Sequence, residues 1–245
     1  RSEDALVYRS VKSIPLGGGS VTTAPITAAL MLPAVQAARQ AARKAVSMNN
    51  LKQIGLAMLT WHNSYAAFPA AYSINQDDKK LLSWRVHLLP FVEQAALYRQ
   101  FRLDEPWDSE HNKKLIPLMP AVFRSPLSAS APGTTTYRTI MLPGGAGAMS
   151  SPKKARMSQM IRNSKVFMQG NSLRDIQDGS SRTILAVEVG DSQAIAWTRP
   201  DELVYSDKTN LAGWGAESQK NFATLFCDGS IRMLSRQIQR EDLKA

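Results

Sequence analysis

The most regular pattern in the chain is a helical repeat of apolar residues in its first third. Apolar side chains recur at steps of three or four residues, and polar side chains recur in the same way on the opposite side; the apolar set begins with Val35, Ala38, Ala42, Ala45 and Met48. This spacing is the 3.6-residue period of an amphipathic helix. Larger apolar residues then widen the stripe: Leu51, Ile54, Met58, Trp61 and Tyr65. We predict one continuous helix over residues 34–64 that buries Leu51, Ile54 and Met58 against a β-sheet.

Further along the chain the period changes to short runs rich in Val, Ile, Thr and aromatic residues. These runs predict strands at residues 134–142, 182–189, 193–198, 223–227 and 230–234. The dipeptide Asp228-Gly229 predicts that the last two strands form a hairpin with a positive-φ turn. A long helix followed by antiparallel strands is an α+β arrangement.

Between the first helix and the strands, two shorter helices are predicted. Ser83 is a candidate N-cap for a helix over residues 84–101, although Pro90 lies inside it. A third helix is predicted over residues 108–115.

The chain divides into a short N-terminal segment and a main domain. Residues 1–24 have the composition of an appendage, with a candidate strand at 5–11 and a flexible break at 17–20. Residues 25–245 then form the main domain, with an exposed basic loop insertion around residues 143–165. Pro33 is expected either to kink the helix or to mark its true start.

The sequence of the helix and a series of later motifs resemble those of a known family. The motifs are Leu32-Pro33-Ala34-Val35-Gln36-Ala37-Ala38-Arg39, Asn49-Asn50-Leu51-Lys52-Gln53-Ile54-Gly55, Phe68-Pro69, Ser83-Trp84-Arg85-Val86, Pro106-Trp107-Asp108 and Asp228-Gly229-Ser230. In this order they resemble a large planctomycete family of undefined function, also catalogued as solute-binding-like, whose N-terminal region is similar to a type IV pilin. The resemblance covers roughly residues 30–235. It implies a pilin-like or pseudopilin-like fold, in which the N-terminal helix packs on an antiparallel β-sheet.

The same resemblance draws attention to Ser47 and Ser125. Family members commonly carry cysteines at both positions, and the joint loss of the two is what a usual pairing implies. We therefore expect the loop around Ser125 to pack near the helix turn around Ser47, even without a disulfide.

Charge is the second unusual feature of the chain. The net charge is +10, and two windows contain no acidic residue, one between Asp4 and Asp77 and the other between Glu110 and Asp175. Such asymmetry favours a polyanionic partner such as an acidic glycan or nucleic acid. The candidate contacts are Lys153, Lys154, Arg156, Arg162 and Lys165. The alternatives are a solvated basic surface or a face that meets an acidic neighbouring domain.

Candidate chemistry is sparse. The three histidines, His62, His87 and His111, lie far apart in sequence, and none has a cysteine or carboxylate at ligand spacing. The single cysteine, Cys227, is expected to be a buried, inert thiol. Asp178-Gly179 and Asp228-Gly229 suit turns better than a calcium loop. We therefore predict no catalytic residue, cofactor or metal site.

A group of tryptophans offers one further interpretation. Four of them suggest either buried anchors or a sugar-binding face: Trp84, Trp107, Trp197 and Trp214. A deep pocket lined by Trp197 or Trp214 would favour ligand binding, whereas an exposed apolar stripe on the first helix would favour assembly.

The leading hypothesis is a non-enzymatic, extracytoplasmic structural or interaction protein, at the cell surface or in the periplasm. It would self-assemble or meet a neighbouring domain through the N-terminal helix. The alternative is a surface module that binds solutes, glycans or polyanions, and an enzyme is a third class. The apolar run at residues 24–35 is short and contains two prolines, so we expect no transmembrane segment within this chain. An anchoring segment upstream of it is compatible with the hypothesis.

Overall fold

The computed structural model describes residues 23–142, 148–152, 166–205, 214–215 and 220–237. Contacts divide the chain into two compact units, residues 1–41 and 42–245. The predicted strand at 5–11 and the Gly-rich break at 17–20 lie outside the described residues. Helix α1, Thr23–Tyr65, begins in the first unit and continues into the second.

The second unit holds the sheets and two further α-helices. The helices are α2, Trp84–His87, and α3, Ala95–Tyr98. The strands are β1 Pro69–Ile74, β2 Lys80–Ser83, β3 Thr134–Thr135, β4 Tyr137–Met141, β5 Phe167–Gln169, β6 Ile184–Glu188, β7 Ile195–Ala196, β8 Leu203–Val204, β9 Asn221–Phe226 and β10 Ile231–Ser235.

Helix α1 confirms the prediction of one continuous helix over residues 34–64. Its Leu51, Ile54 and Met58 have no exposed surface and share one core with Ala223 and other residues of the sheet. We call these three residues the inner stripe. The prediction that they face a β-sheet is therefore confirmed. Pro33 lies inside the helix, so the expectation that it might mark the start is wrong.

Gly55 brings the helix close to the sheet. A Cβ added at this position would lie only 2.7 Å from Cδ1 of Leu225 on β9. Since real Cβ contacts are longer than this, a side chain at position 55 would push the helix or Leu225 aside. Glycine thus sets the distance between α1 and β9.

The main sheet has five strands in the order β10-β9-β6-β4-β8. The β10-β9, β9-β6 and β6-β4 pairs are antiparallel, and β4-β8 is parallel. Its second face carries a smaller core around Val187, Phe222 and Trp214, because successive residues of a strand point to opposite faces. With α1 on the other face, the architecture is α+β, as predicted.

The predicted strands map onto this structure with small shifts. Residues 134–142 contain β3 and β4, and residues 182–189 and 193–198 contain β6 and β7. The predicted strands at 223–227 and 230–234 overlap β9 and β10 with shifts of one or two residues. The β9-β10 hairpin is confirmed, since Leu225 pairs with Ile231 and Gly229 at the turn has a φ of 81°.

The predicted helix over residues 84–101 is wrong. Ser83 does cap α2, since its side chain accepts a bond from the backbone N–H of Arg85. A 3-10 helix, Leu89–Val92, follows with Pro90 in its first turn, and Glu93 then takes a left-handed φ of 62°. A left-handed residue ends a right-handed helix, so α3 starts afresh. The predicted third helix, at 108–115, is instead a 3-10 helix, Asn112–Leu118.

Strands β2, β1 and β5 form a separate three-stranded sheet, in that order. None of the three was predicted from the sequence. Among the described residues, no helix is long and apolar enough to cross a membrane.

Candidate interaction surface

Helix α1 carries a line of exposed side chains on the side away from its inner stripe. Within the second unit this line, which we call the outer stripe, consists of Ala42, Val46, Asn49, Gln53, Leu56 and Thr60. Two large apolar residues in it are strongly exposed, Val46 by 50% and Leu56 by 66%. In the first unit, Leu32 and Val35 of the same helix are exposed as well. A large exposed apolar side chain is ordinary by itself, but two of them on one face of a helix make that face a candidate contact surface.

The charges beside the outer stripe have one sign. Arg43 and Lys52 are exposed on α1, and the sequence has no Asp or Glu between Asp4 and Asp77. Exposed Arg124 lies close by, because the side-chain amide of Asn50 donates to its carbonyl oxygen at 3.0 Å. This side of α1 therefore combines apolar side chains with exposed positive charge.

On the buried side of α1, a carboxylate from β6 holds the helix to a loop. Glu188 is only 3% exposed. Ser47 donates a hydrogen bond to its Oε2 at 2.8 Å, and Ser125 donates to its Oε1. The hydroxyl of Tyr137 lies 2.9 Å from Ser47 Oγ. The expectation that the turn at Ser47 packs near the loop at Ser125 is confirmed, since both serines bind one carboxylate.

The protonation of Glu188 reflects this burial. Desolvation raises the pKa of its carboxyl group above the ordinary value, and the hydrogen bonds from Ser125 and Ser47 oppose the rise only in part. Burial together with the nearby charge of Glu188 raises the pKa of Tyr137 as well. The sequence had singled out both serines, but nothing in it pointed to Glu188 as their partner.

A shallow depression opens next to Glu188. Its lining includes Lys44, Met48, Asn221 and Met233, and its enclosed part has room for about one water molecule. Small-molecule sites are typically several hundred Å³ in volume. The depression is therefore too small to enclose a solute.

A second buried carboxylate explains the Ser83-Trp84-Arg85 motif. Arg85 pairs with Glu202 at 2.7 Å, and both side chains are fully buried. Trp84 Nε1 donates to the same carboxylate at 2.9 Å, and Arg85 also donates to Ser83 Oγ at 2.7 Å. This cluster ties α2 to the segment after β7. A buried pair with these added hydrogen bonds is costly to break by removing one partner, so its role is structural.

Arg138 shows what becomes of one cation in the second acid-free window. Its guanidinium lies 3.5 Å from Glu202 and 4.0 Å from Asp201. Acids from another segment therefore neutralise it, and it is not available to a polyanion. The five candidate polyanion contacts lie outside the described residues and stay a prediction: Lys153, Lys154, Arg156, Arg162 and Lys165.

The tryptophans do not form a sugar-binding face. Trp84 and Trp197 have no exposed surface, and Trp214 is 2% exposed. Trp197 donates its indole N–H to the carbonyl oxygen of Ile116 at 2.9 Å. Trp107 is partly buried. The hypothesis of buried anchors is confirmed for Trp84 and Trp197.

The remaining candidate groups lie apart from one another. His62 accepts a bond from the backbone N–H of Leu173 at 3.2 Å, and His111 bonds to the carbonyl oxygen of Gln100 at 2.8 Å. His87 is buried, and desolvation lowers its pKa to about 3. Cys227 is buried, and desolvation raises its pKa to about 12. Among the described residues, no three His, Cys, Asp or Glu side chains are placed to share a metal ion.

Comparison with known proteins gives one match. The family model described as protein of unknown function (DUF1559), whose short name is SBP_bac_10, matches residues 36–220. The searches of curated proteins and of solved structures found no match.

Proposed function

Because the chain belongs to the DUF1559 family of proteins of unknown function, a role has to be argued from its own surface. We propose that it is a non-enzymatic, pilin-like structural or interaction protein that acts outside the cytoplasm. Its interaction surface is the outer stripe of α1.

The observation that carries this proposal is the division of α1 into two sides. The inner stripe is fully buried on the sheet, whereas Val46 and Leu56 on the outer stripe are half or more exposed. A helix that packs on one face of a sheet and presents its other side is the arrangement expected of a pilin-like protein. The short name of the family hints at solute-binding proteins, which act outside the cytoplasm.

Cysteine labelling in intact cells tests both parts of the proposal. Leu56→Cys places a thiol on the outer stripe, and Val204→Cys places a control thiol on β8, where the native side chain is 62% exposed. The native Cys227 is buried, so it contributes little background. The reagent is a maleimide that cannot cross membranes, and labelling is compared between intact cells and the purified protein.

We expect the two thiols to react equally in the purified protein. In intact cells the Val204→Cys thiol should still react, because the protein lies outside the cytoplasm, whereas the Leu56→Cys thiol should react at least tenfold less, because a partner covers it. Equal labelling of the two thiols in intact cells would show that no partner covers the outer stripe. No labelling of the Val204→Cys thiol in intact cells would contradict the extracytoplasmic location.

A second candidate function, polyanion binding, is favoured by a separate observation. Arg43, Lys52 and Arg124 are all exposed, and none of them takes part in an ion pair between described residues. A glycan or nucleic acid bound there would be held by charge alone, since the buried tryptophans offer no stacking surface. Such binding weakens steeply with added salt.

A further inference from the structure

Strand β10 lies at one edge of the main sheet, with β9 on its inner side and no described strand on its outer side. Its register with β9 runs from Ile231 to Ser235 without a shift, and the strand contains no proline or lysine. Its one charged side chain, Arg232, leans back over the ring of Phe226 on β9, 4.6 Å from the ring centroid. Bulges, prolines and lysines are the usual means by which proteins keep other strands from an exposed edge. The edge at β10 is therefore regular and unprotected.

The hydrogen bonds between β10 and β9 show which backbone groups point outward. The N–H of Phe226 donates to the carbonyl oxygen of Ser230, and the N–H of Arg236 donates to that of Lys220. In an antiparallel ladder, such hydrogen-bonded pairs alternate with pairs whose N–H and C=O groups point away from the partner strand. Counted along the register, the residues of β10 with outward groups are Ile231, Met233 and Ser235.

These outward groups have no backbone partner in the described part of the chain. The edge strand β2 of the smaller sheet is different, because other segments cover its outer side. There the N–H of Trp107 donates to the carbonyl oxygen of Leu81 at 2.9 Å, and the N–H of Ser83 donates to that of Thr198 at 3.0 Å. A row of outward donors and acceptors on a sheet edge is matched by the backbone of another extended strand.

A second copy of β10 fits this edge. In an antiparallel pairing centred on Met233, the outward groups of the two copies face each other, because Met233 lies opposite itself and Ile231 lies opposite Ser235. Arg232 then lies opposite Leu234 of the copy, so no like charges are directly opposed. Contacts between identical chains are most often two-fold and self-complementary, as this pairing is.

We propose that two copies of this chain associate through β10, which pairs antiparallel with itself and joins the two main sheets across a two-fold axis at Met233. The inference concerns a surface other than the outer stripe of α1 and does not depend on it. Met233, 38% exposed in the single chain, packs against its counterpart on the axis. A contact of five residues a side is smaller than the roughly 1,200 Å² of a standard interface. We therefore expect a weak dimer that forms as the protein concentration rises.

Disulfide trapping tests both the pairing and its register. Met233→Cys places two thiols opposite each other on the axis, where Cα atoms about 5.5 Å apart are within reach of a disulfide. Ser235→Cys is the matched control, because Ser235 is exposed on the same strand and shares a face with Met233. Its two copies would lie four residues apart, about 13 Å along the strands. Under mild oxidation we expect at least tenfold more linked dimer from Met233→Cys than from Ser235→Cys; the native Cys227 is buried.

Sedimentation and hydrogen exchange test the association without a crosslink. Met233→Lys sets like charges opposite each other, so it should raise the dissociation constant of the dimer at least tenfold. Val204→Lys, the control on β8, should not, and circular dichroism verifies that both variants are folded. In hydrogen exchange followed by NMR, the amides of Met233 and Ser235 should become protected as the dimer forms. The amides of Arg232 and Leu234 point to β9 and should be protected at every concentration.

Several outcomes would overturn the proposal. A protein that stays monomeric at every concentration, or equal crosslinking of the two cysteine variants, contradicts pairing through β10. Slow exchange of the Met233 and Ser235 amides in the dilute monomer would mean that the chain's own residues cover the edge, and the proposal would be wrong. A dimer that survives Met233→Lys but dissociates in Val46→Asp would place the contact on the outer stripe instead.

Discussion

Replacement of Ile54 by Ala is the sharpest test of how α1 is used. Ile54 has no exposed surface and lies in the core that α1 shares with the sheet. The substitution removes three carbon atoms, which at about 0.8 kcal/mol per buried methylene costs about 2.4 kcal/mol in transfer alone. The close approach of Gly55 to Leu225 keeps the helix from settling into the gap, so a cavity term adds to this loss. We expect unfolding to become easier by about 2–5 kcal/mol in total.

Leu56→Ala is the matched control, because it removes as many carbons from the same helix only two residues away. Leu56 is 66% exposed, so the expected loss is below about 0.5 kcal/mol.

Urea unfolding provides the measurement for both variants. It is followed by circular dichroism and by tryptophan fluorescence, with the slope m shared among the proteins. A loss below about 0.5 kcal/mol for Ile54→Ala would mean that the inner stripe is not a core in solution. A loss at Leu56 as large as that at Ile54 would refute the division of the helix into a buried and an exposed side.

Four further predictions concern the junction of Ser47 and Ser125, the buried carboxylate beside it, a buried histidine and the basic loop. Ser47→Cys together with Ser125→Cys should form a disulfide on oxidation, since the two native hydroxyls bind one carboxylate and bridged Cα atoms must lie within about 7 Å; two free thiols in the oxidised protein, counted by mass after maleimide labelling, would refute this. Burial raises the pKa of Glu188 above its ordinary 4.5. Its contribution to the free energy of unfolding should therefore be fully present below pH 4.5 and be lost as the pH rises through the folded-state pKa. In Glu188→Gln, the urea midpoint should lack this fall with rising pH. His87 has a pKa lowered from 6.5 to about 3, so its effect has the opposite sign. The free energy of unfolding should fall by about 1.4 kcal/mol per pH unit as the pH is lowered between those two values. If His87→Phe shows the same pH dependence of stability as the wild-type protein, this prediction is wrong. Replacement of three loop cations by Ser should flatten the salt dependence of heparin retention without changing stability, and wild-type protein with no salt-dependent retention would exclude polyanion binding; the three are Lys153, Lys154 and Arg156.

The parts of the fold that the sequence predicts well are those set by local periodicity. The inner stripe of α1 repeats with the helical period through Leu51, Ile54 and Met58, and the prediction that these residues are buried is confirmed. The first half of the predicted stripe is wrong, because four of its apolar residues are exposed: Val35, Ala38, Ala42 and Ala45. Their small or lone apolar side chains repeat with the helical period but lie outside the core. The β9-β10 hairpin is equally local, because Asp228-Gly229 supplies the positive φ that its turn needs.

The predictions that were wrong, or that were not made, also have specific causes. The helix predicted over residues 84–101 has a helical apolar pattern, but Pro90 lacks a backbone N–H and Glu93 takes a left-handed conformation. Strand β1, Pro69–Ile74, is rich in Ala and opens with Pro, so its propensity for a strand is weak. It forms because β2 and β5 supply backbone partners. The second of these lies about a hundred residues away, beyond the reach of a local pattern.

Glu188 shows where sequence reasoning about a site reaches its limit. The resemblance implied a cysteine pair at these two positions, and that expectation was enough to predict that Ser47 lies beside Ser125. It did not reveal what holds the two segments together without the bridge. Serine hydroxyls need an acceptor once they are buried, and the carboxylate of Glu188 accepts from both. Helix and loop are thus joined in this chain by hydrogen bonds to one buried carboxylate. For that reason the joint cysteine variant and Glu188→Gln probe the same junction: if a disulfide forms there, it should remove most of the stability difference between wild-type protein and Glu188→Gln.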